Sequence, residues 1–154
     1  MDKNLCAKTL LSSLPHIDKY CESVTRANTA RAIASMNDVL QSTQDIMERI
    51  IDRTYKVQQL HNLKVKMIEQ LKAMKPATAM VLDLHFIKHW TPAKIADRVG
   101  LTERSVFRQI QIGVDKFGAG LERVGVDEPA FNTMLTSYPW IRSFYLQLSN
   151  PQSL

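Results

Sequence analysis

Glycine is scarce in this chain of 154 residues: there are five, at 100, 113, 118, 120 and 125, and none before Gly100. The stretch before Gly100 therefore lacks the residue that most readily makes tight turns, and it reads as long helices with few sharp reversals. Strand-like alternation of Val, Ile, Thr and aromatic residues is also missing, which argues against a sheet. There are only two cysteines, Cys6 and Cys21. Their spacing fits neither a disulfide framework nor a zinc site, so two ordinary thiols are expected. No apolar run approaches the ~18–20 residues that cross a bilayer. Residues 1–6 lack the basic segment and apolar core of a signal peptide, so a cytoplasmic protein with no membrane partner is expected. A glycine-rich phosphate loop and a GxSxG elbow are absent, and neither Cys has a His near it in sequence. The expectation is a protein that is not an enzyme and takes no cofactor.

What remains is ordinary globular material, 45% apolar and 23% charged, with 7% aromatic residues. The length suits one domain, or one small domain with an appendage. The formal charge is +5, which permits a nucleic-acid partner without requiring one. It is unevenly spread: residues 1–75 hold 12 Lys+Arg against 8 Asp+Glu, residues 76–125 hold 7 against 5, and residues 126–154 hold 1 against 2.

Prolines supply the punctuation that glycine does not. Pro15 follows a short apolar segment over residues 5–14. A weakly helical pattern runs over residues 16–35, broken near Ser35-Met36-Asn37-Asp38. Residues 38–75 carry the clearest helix. Ile46, Ile50, Val57, Leu60, Met67, Leu71 and Met74 recur at alternating four and three, interrupted by Arg53 and Lys64. That stripe fits a coiled-coil seam or one side of a helical hairpin, and it serves either as intramolecular core or as a homodimer contact through Ile46, Ile50, Val57, Leu60, Met67 and Leu71. Met47, Ile51, Val65 and Ile68 widen it, which favours more than one packing neighbour. Pro76 ends or bends this helix.

Beyond it the helices shorten. Met80, Leu84 and Ile87 share a face. Thr91-Pro92 reads as an N-cap with proline at the first helical position. Ile95, Ala96 and Val99 make an apolar face, and Gly100 stands where a helix turns off. Thr102 is a second N-cap, and Val106, Ile110 and Val114, extended by Phe117 and Leu121, form the face of the next helix. Gly113 falls inside that helix, at a cost of about 1 kcal/mol relative to alanine. Asp127-Glu128-Pro129 starts afresh, and Phe131, Met134, Leu135, Trp140, Ile141, Phe144 and Leu148 give one or two short terminal helices. The prediction is an all-α fold in three parts: an N-terminal helical region at 1–75, a helix-turn-helix at 76–125, and a helical appendage at 126–154.

Two capped helices joined by a glycine turn describe a helix-turn-helix. Small Ala96 lets the second helix cross close to the first, and Leu101 is expected to plug the inside of the turn. Val106 and Ile110 anchor the second helix, which leaves Glu103, Arg104, Phe107, Arg108 and Gln111 pointing outward. A helix so held fits the major groove, where Arg reads guanine, Gln reads adenine and an apolar side chain meets the thymine methyl. Phe107 could instead pack on the C-terminal helices. Thr91, Lys94, Arg98, Thr102 and Ser105, with nearby backbone N–H groups, complete the candidate contacts, chiefly to phosphate. The alternative reading is a bundle that serves protein contact without touching DNA. His85 and His89 have the i, i+4 spacing of paired metal ligands, but no third ligand accompanies them, so no metal site is expected. Trp90 and Trp140 are read as core anchors.

The run Val81-Leu82-Asp83-Leu84-His85-Phe86, followed by Lys94-Ile95-Ala96, Gly100-Leu101-Thr102 and Ser105-Val106, resembles region 4 of bacterial sigma factors. More narrowly, it is similar to the small phage-encoded late transcription regulators of the ArpU/RinA type. The likeness covers roughly residues 65–121. It implies a DNA-binding transcription regulator in a phage or mobile-element setting, with double-stranded DNA and RNA polymerase as partners. Lys94 stands where that family usually carries an acidic residue, His89-Trp90 replaces a small turn, and residues 126–154 have no counterpart. No sigma region 2 is evident in residues 1–75, so a complete sigma factor is not implied.

Overall fold

The structure is a computed structural model that describes residues 2–35 and 43–150. The expected break at Met36–Asp38 and the last four residues lie outside them. All described regular elements are helical, and no described helix is long and apolar enough to cross a membrane.

Helix α1 (Lys3–Ser13) starts at Asp2, whose carboxylate accepts the Asn4 N–H at 2.9 Å. Pro15 sits in a single 3₁₀ turn, Leu14–His16, before α2 (Ile17–Ser35). Helix α3 (Thr43–Ala73) carries the long stripe. Pro76 takes the first position of α4 (Pro76–Leu82), so the proline opens a new helix where its missing N–H costs nothing. A π-helical turn, Asp83–Ile87, follows. Then come α5 (Pro92–Val99), α6 (Glu103–Arg123), α7 (Glu128–Ser137) and α8 (Pro139–Ser149).

The contacts divide the chain into two compact units, His16–Val65 and the pair Met1–Pro15 with Lys66–Leu154. The discontinuous unit holds α1, the end of α3, and α4 to α8. Its centre is α6, which packs against α1, α4 and α5, while α8 packs against α1 and α7. Leu11, Val81, Leu82, Ile95, Val106, Val114, Phe117, Leu121, Phe131 and Ile141 are fully buried there. Each such side chain contributes about 1.5–3 kcal/mol relative to leaving it in water. Phe131 and Ile141, expected in a terminal appendage, thus belong to the same core as the glycine-turn helices. The start of α7 is capped by Asp127, which accepts the Ala130 N–H at 3.1 Å.

Two glycines of α6 are explained by close approach. A Cβ on Gly113 would lie 2.9 Å from the buried Leu82 side chain. On Gly120 it would collide with the Gln70 amide. Thr78 of α4 donates to Gln109 Oε1 of α6 at 3.0 Å and adds a polar bond to that crossing. In the same unit, Met80 is exposed while Leu84 is buried, because the π turn rotates the face on which the two were expected to align.

In the unit His16–Val65, Ile17, Cys21, Leu60 and Leu63 are buried, and Lys64 Nζ lies 2.7 Å from Asp18. Ile46, Ile50 and Val57 are only half-buried. Along the rest of α3, Met67 is buried and Leu71 half-buried. Cys6 and Cys21 are free thiols. Burial pushes both thiols above their ordinary pKa, with Glu128 and Asp2 adding to the effect at Cys6 and Asp18 at Cys21.

Candidate nucleic-acid interface

The two expected caps and the glycine turn each have a structural counterpart. Thr91 is extended, and its hydroxyl accepts the Lys94 N–H at 3.3 Å, with Pro92 at the first helical position. Gly100 is left-handed at φ 70°, and the N–H groups of Gly100 and Leu101 both close on the Ala96 carbonyl. Thr102 is extended, its Oγ1 accepts the Ser105 N–H at 3.1 Å, and it lies 2.9 Å from Ser105 Oγ. Both threonine hydroxyls are therefore engaged in capping. The N–H groups of Glu103 and Arg104 fall in the first turn, where a helix offers no internal acceptor.

Ile95 and Ala96 on α5, and Val106, Ile110 and Val114 on α6, are buried. Their burial fixes which way the two helices present their remaining side chains. Glu103, Arg104, Phe107, Arg108 and Gln111 are all exposed. Arg104, Arg108, Gln111 and Asp115 follow one another at i, i+4, i+7 and i+11, with Phe107 beside them at 55% exposure. Gln111 Nε2 donates to Asp115 Oδ1 at 3.2 Å, which holds the amide along the helix. Lys94 and Arg98 are exposed on α5, with Asp97 between them. Among the described residues, Arg98, Arg104 and Arg108 take part in no ion pair. Ser105 is half-buried beneath its cap.

Several expectations change. Leu101 does not plug the turn: it is 44% exposed, and backbone hydrogen bonds to Ala96 close the turn without it. Trp90 and Trp140 are half-buried, not fully enclosed. The Lys94 ammonium sits 4.2 Å from the Trp90 ring centroid, a cation–π contact. Lys94 therefore gains an aromatic partner where an acid would have favoured the helix start. Trp140 meets Phe144 edge-on at 6.4 Å between centroids.

His85 and His89 do not share a helix face, since the chain has left the helix at His89, where φ is +58°. His85 Nδ1 lies 3.1 Å from the Trp90 carbonyl oxygen. With Trp90 N–H on the Leu84 carbonyl and Lys88 N–H on that of Asp83, this closes the turn leading into α5. Among the described residues no cluster of His, Cys, Asp and Glu could hold a metal ion.

Sequence reasoning missed the Thr78–Gln109 bond and the seat of Gly113 on Leu82. The glycine did carry a signal, because a glycine inside an apolar-periodic helix marks a close crossing. The threonine carried none. No family model, curated protein or solved structure matches the chain.

Proposed function

We propose that the chain is a sequence-specific, double-stranded DNA-binding regulator of transcription that lays the N-terminal half of α6 in the major groove. The single observation that carries this reading is the outward face of Arg104, Phe107, Arg108 and Gln111, on a helix whose other side is locked by Val106, Ile110 and Val114. Two exposed arginines that form no ion pair among the described residues, an exposed phenylalanine and an amide are the side chains that recognise guanine, thymine methyl and adenine. Arg98, Lys94 and the first N–H groups of α6 supply the phosphate contacts that set register. Glu103 has the same sign as phosphate and is repelled by it, so it sits over base edges, where an acid accepts from cytosine. The resemblance to sigma region 4 and the ArpU/RinA-type regulators supports a phage or mobile-element setting, with RNA polymerase as a further partner by analogy.

Duplexes selected from a random pool provide the test. Affinity should fall linearly in log–log terms as salt rises, with a slope near −0.9 per phosphate neutralised. Arg104→Ala should cost about 1–3 kcal/mol and relax the preference at one position, whereas Arg98→Ala should weaken all duplexes alike. Absence of duplex binding at low salt, with Arg104→Ala and Arg108→Ala indistinguishable from the parent, would overturn the reading. A second reading rests on the exposure of Leu101 and Phe107: the same face could dock a protein such as a polymerase subunit without touching DNA. Binding that persists at high salt and is lost on Phe107→Ala would favour it.

A further inference from the structure

The outward face of α6 holds an acid where phosphate would not welcome one. Helix α6 carries three acids, Glu103, Asp115 and Glu122. Glu103 stands in the first turn, where the helix dipole favours negative charge. Glu122 pairs with Lys3 at 3.0 Å. Asp115 is exposed in mid-helix, on the line of Arg104, Arg108 and Gln111, where a carboxylate repels a nucleic-acid backbone. Its hydrogen bond is with Gln111, whose Nε2 donates to Asp115 Oδ1 at 3.2 Å. The spacing of four residues sets the two side chains one above the other on the same face.

A carboxylate can only accept, whereas an amide has a donating end and an accepting end. Asp115 therefore takes the N–H end of Gln111, because the reverse orientation would set acceptor oxygens against each other. The amide has two N–H groups, so one stays free beside Oε1 while the other is held. The free edge then offers an acceptor next to a donor. Adenine presents the complement in the major groove, an N6 donor beside an N7 acceptor, while guanine presents two acceptors, O6 and N7. We propose that Asp115 is a positioning residue: it fixes the polarity of the Gln111 amide, so that Gln111 selects adenine and rejects guanine at one position of the duplex. Asp115 itself does not touch the base. The inference rests on α6 being the major-groove helix, and it accounts for an acid on a face otherwise suited to phosphate and bases.

The duplex that the full chain selects most strongly from a random pool is the probe. Gln111→Ala identifies the base pair concerned, as the position whose preference disappears. The parent should favour adenine over guanine there by about tenfold or more. Asp115→Asn keeps the size of the side chain, yet its amide can donate as well as accept. It should bring the ratio at this position toward one, while raising affinity for every duplex through the lost negative charge. Asp115→Glu keeps an acceptor-only carboxylate and should retain the ratio. Both positions are exposed, so all three variants should match the parent in helicity by circular dichroism. If Asp115 acted through its charge alone, Asp115→Asn would strengthen all duplexes and leave the ratio as it was. That outcome overturns the proposal. So does a preference for guanine at the Gln111 position, or a Gln111→Ala variant with the parent's preferences throughout. Each of these leaves the DNA reading standing. A parent that binds no duplex at low salt overturns that reading, and the role of Asp115 falls with it.

Discussion

Gly113 is the residue at which local cost and tertiary gain are easiest to separate. In an isolated helix it is a weakness, yet its missing Cβ is what lets α4 seat Leu82 against α6. Gly113→Ala should destabilise the fold by about 1–3 kcal/mol, because Leu82 is itself fully buried and has nowhere to move. Gly118→Ala is the control. Its nearest neighbour, the Ala7 methyl, would lie at 3.4 Å, so the change should be neutral or stabilising through helix propensity. Urea denaturation of the two variants measures the difference. Lys94 makes a similar point: its position looks unfavourable for a helix start, and the Trp90 ring supplies the compensating contact.

For single elements, most of the reading was available in advance. The caps Thr91 and Thr102, the helix-starting Pro92, the fresh start at Asp127-Glu128-Pro129 and the left-handed Gly100 all act locally, within four residues of where they stand, whereas Pro76, expected to end or bend a helix, opens a new one. Thr102→Ala should therefore cost about 1 kcal/mol, since it removes the acceptor for the Ser105 N–H. The loss would appear as a lower midpoint in thermal unfolding with the fold unchanged. The π turn at Asp83–Ile87 was not legible. One residue of extra winding depends on how Leu84 and Phe86 are buried and on the bonds that Trp90 and His85 close, not on any residue's own preference. That turn is why Met80 points outward and why the two histidines part company.

For the molecule as a whole, the decisive arrangement is that α1, at the start of the chain, packs beside α6 and α8. Leu10 and Leu11 are buried in the same core as Phe117 and Phe131. Leu11→Ala should accordingly destabilise the helix-turn-helix unit by about 2–5 kcal/mol, although it lies some ninety residues away in sequence. Loss of duplex binding in parallel with the thermal transition would follow if that unit is the reading head. By contrast the exposed Lys3–Glu122 ion pair, at 3.0 Å, should contribute little. The net charge was a poor guide, because most of its excess lies in residues 1–75 while the exposed arginines of the candidate interface lie in 98–108.

Periodicity, capping and the placement of glycine and proline are short-range, and they suffice for an all-α chain, for the caps and turn of the helix-turn-helix and for its outward face. Which of two apolar stripes on α3 turns inward, which terminal helices share a core, and whether a leucine in a turn is buried are long-range questions. Their answers rest on surfaces brought together from distant parts of the chain. Leu60, Ile51 and Leu101 are similar side chains in helical or turn contexts. Packing buries the first and leaves the other two in water, and no neighbour in sequence records that difference.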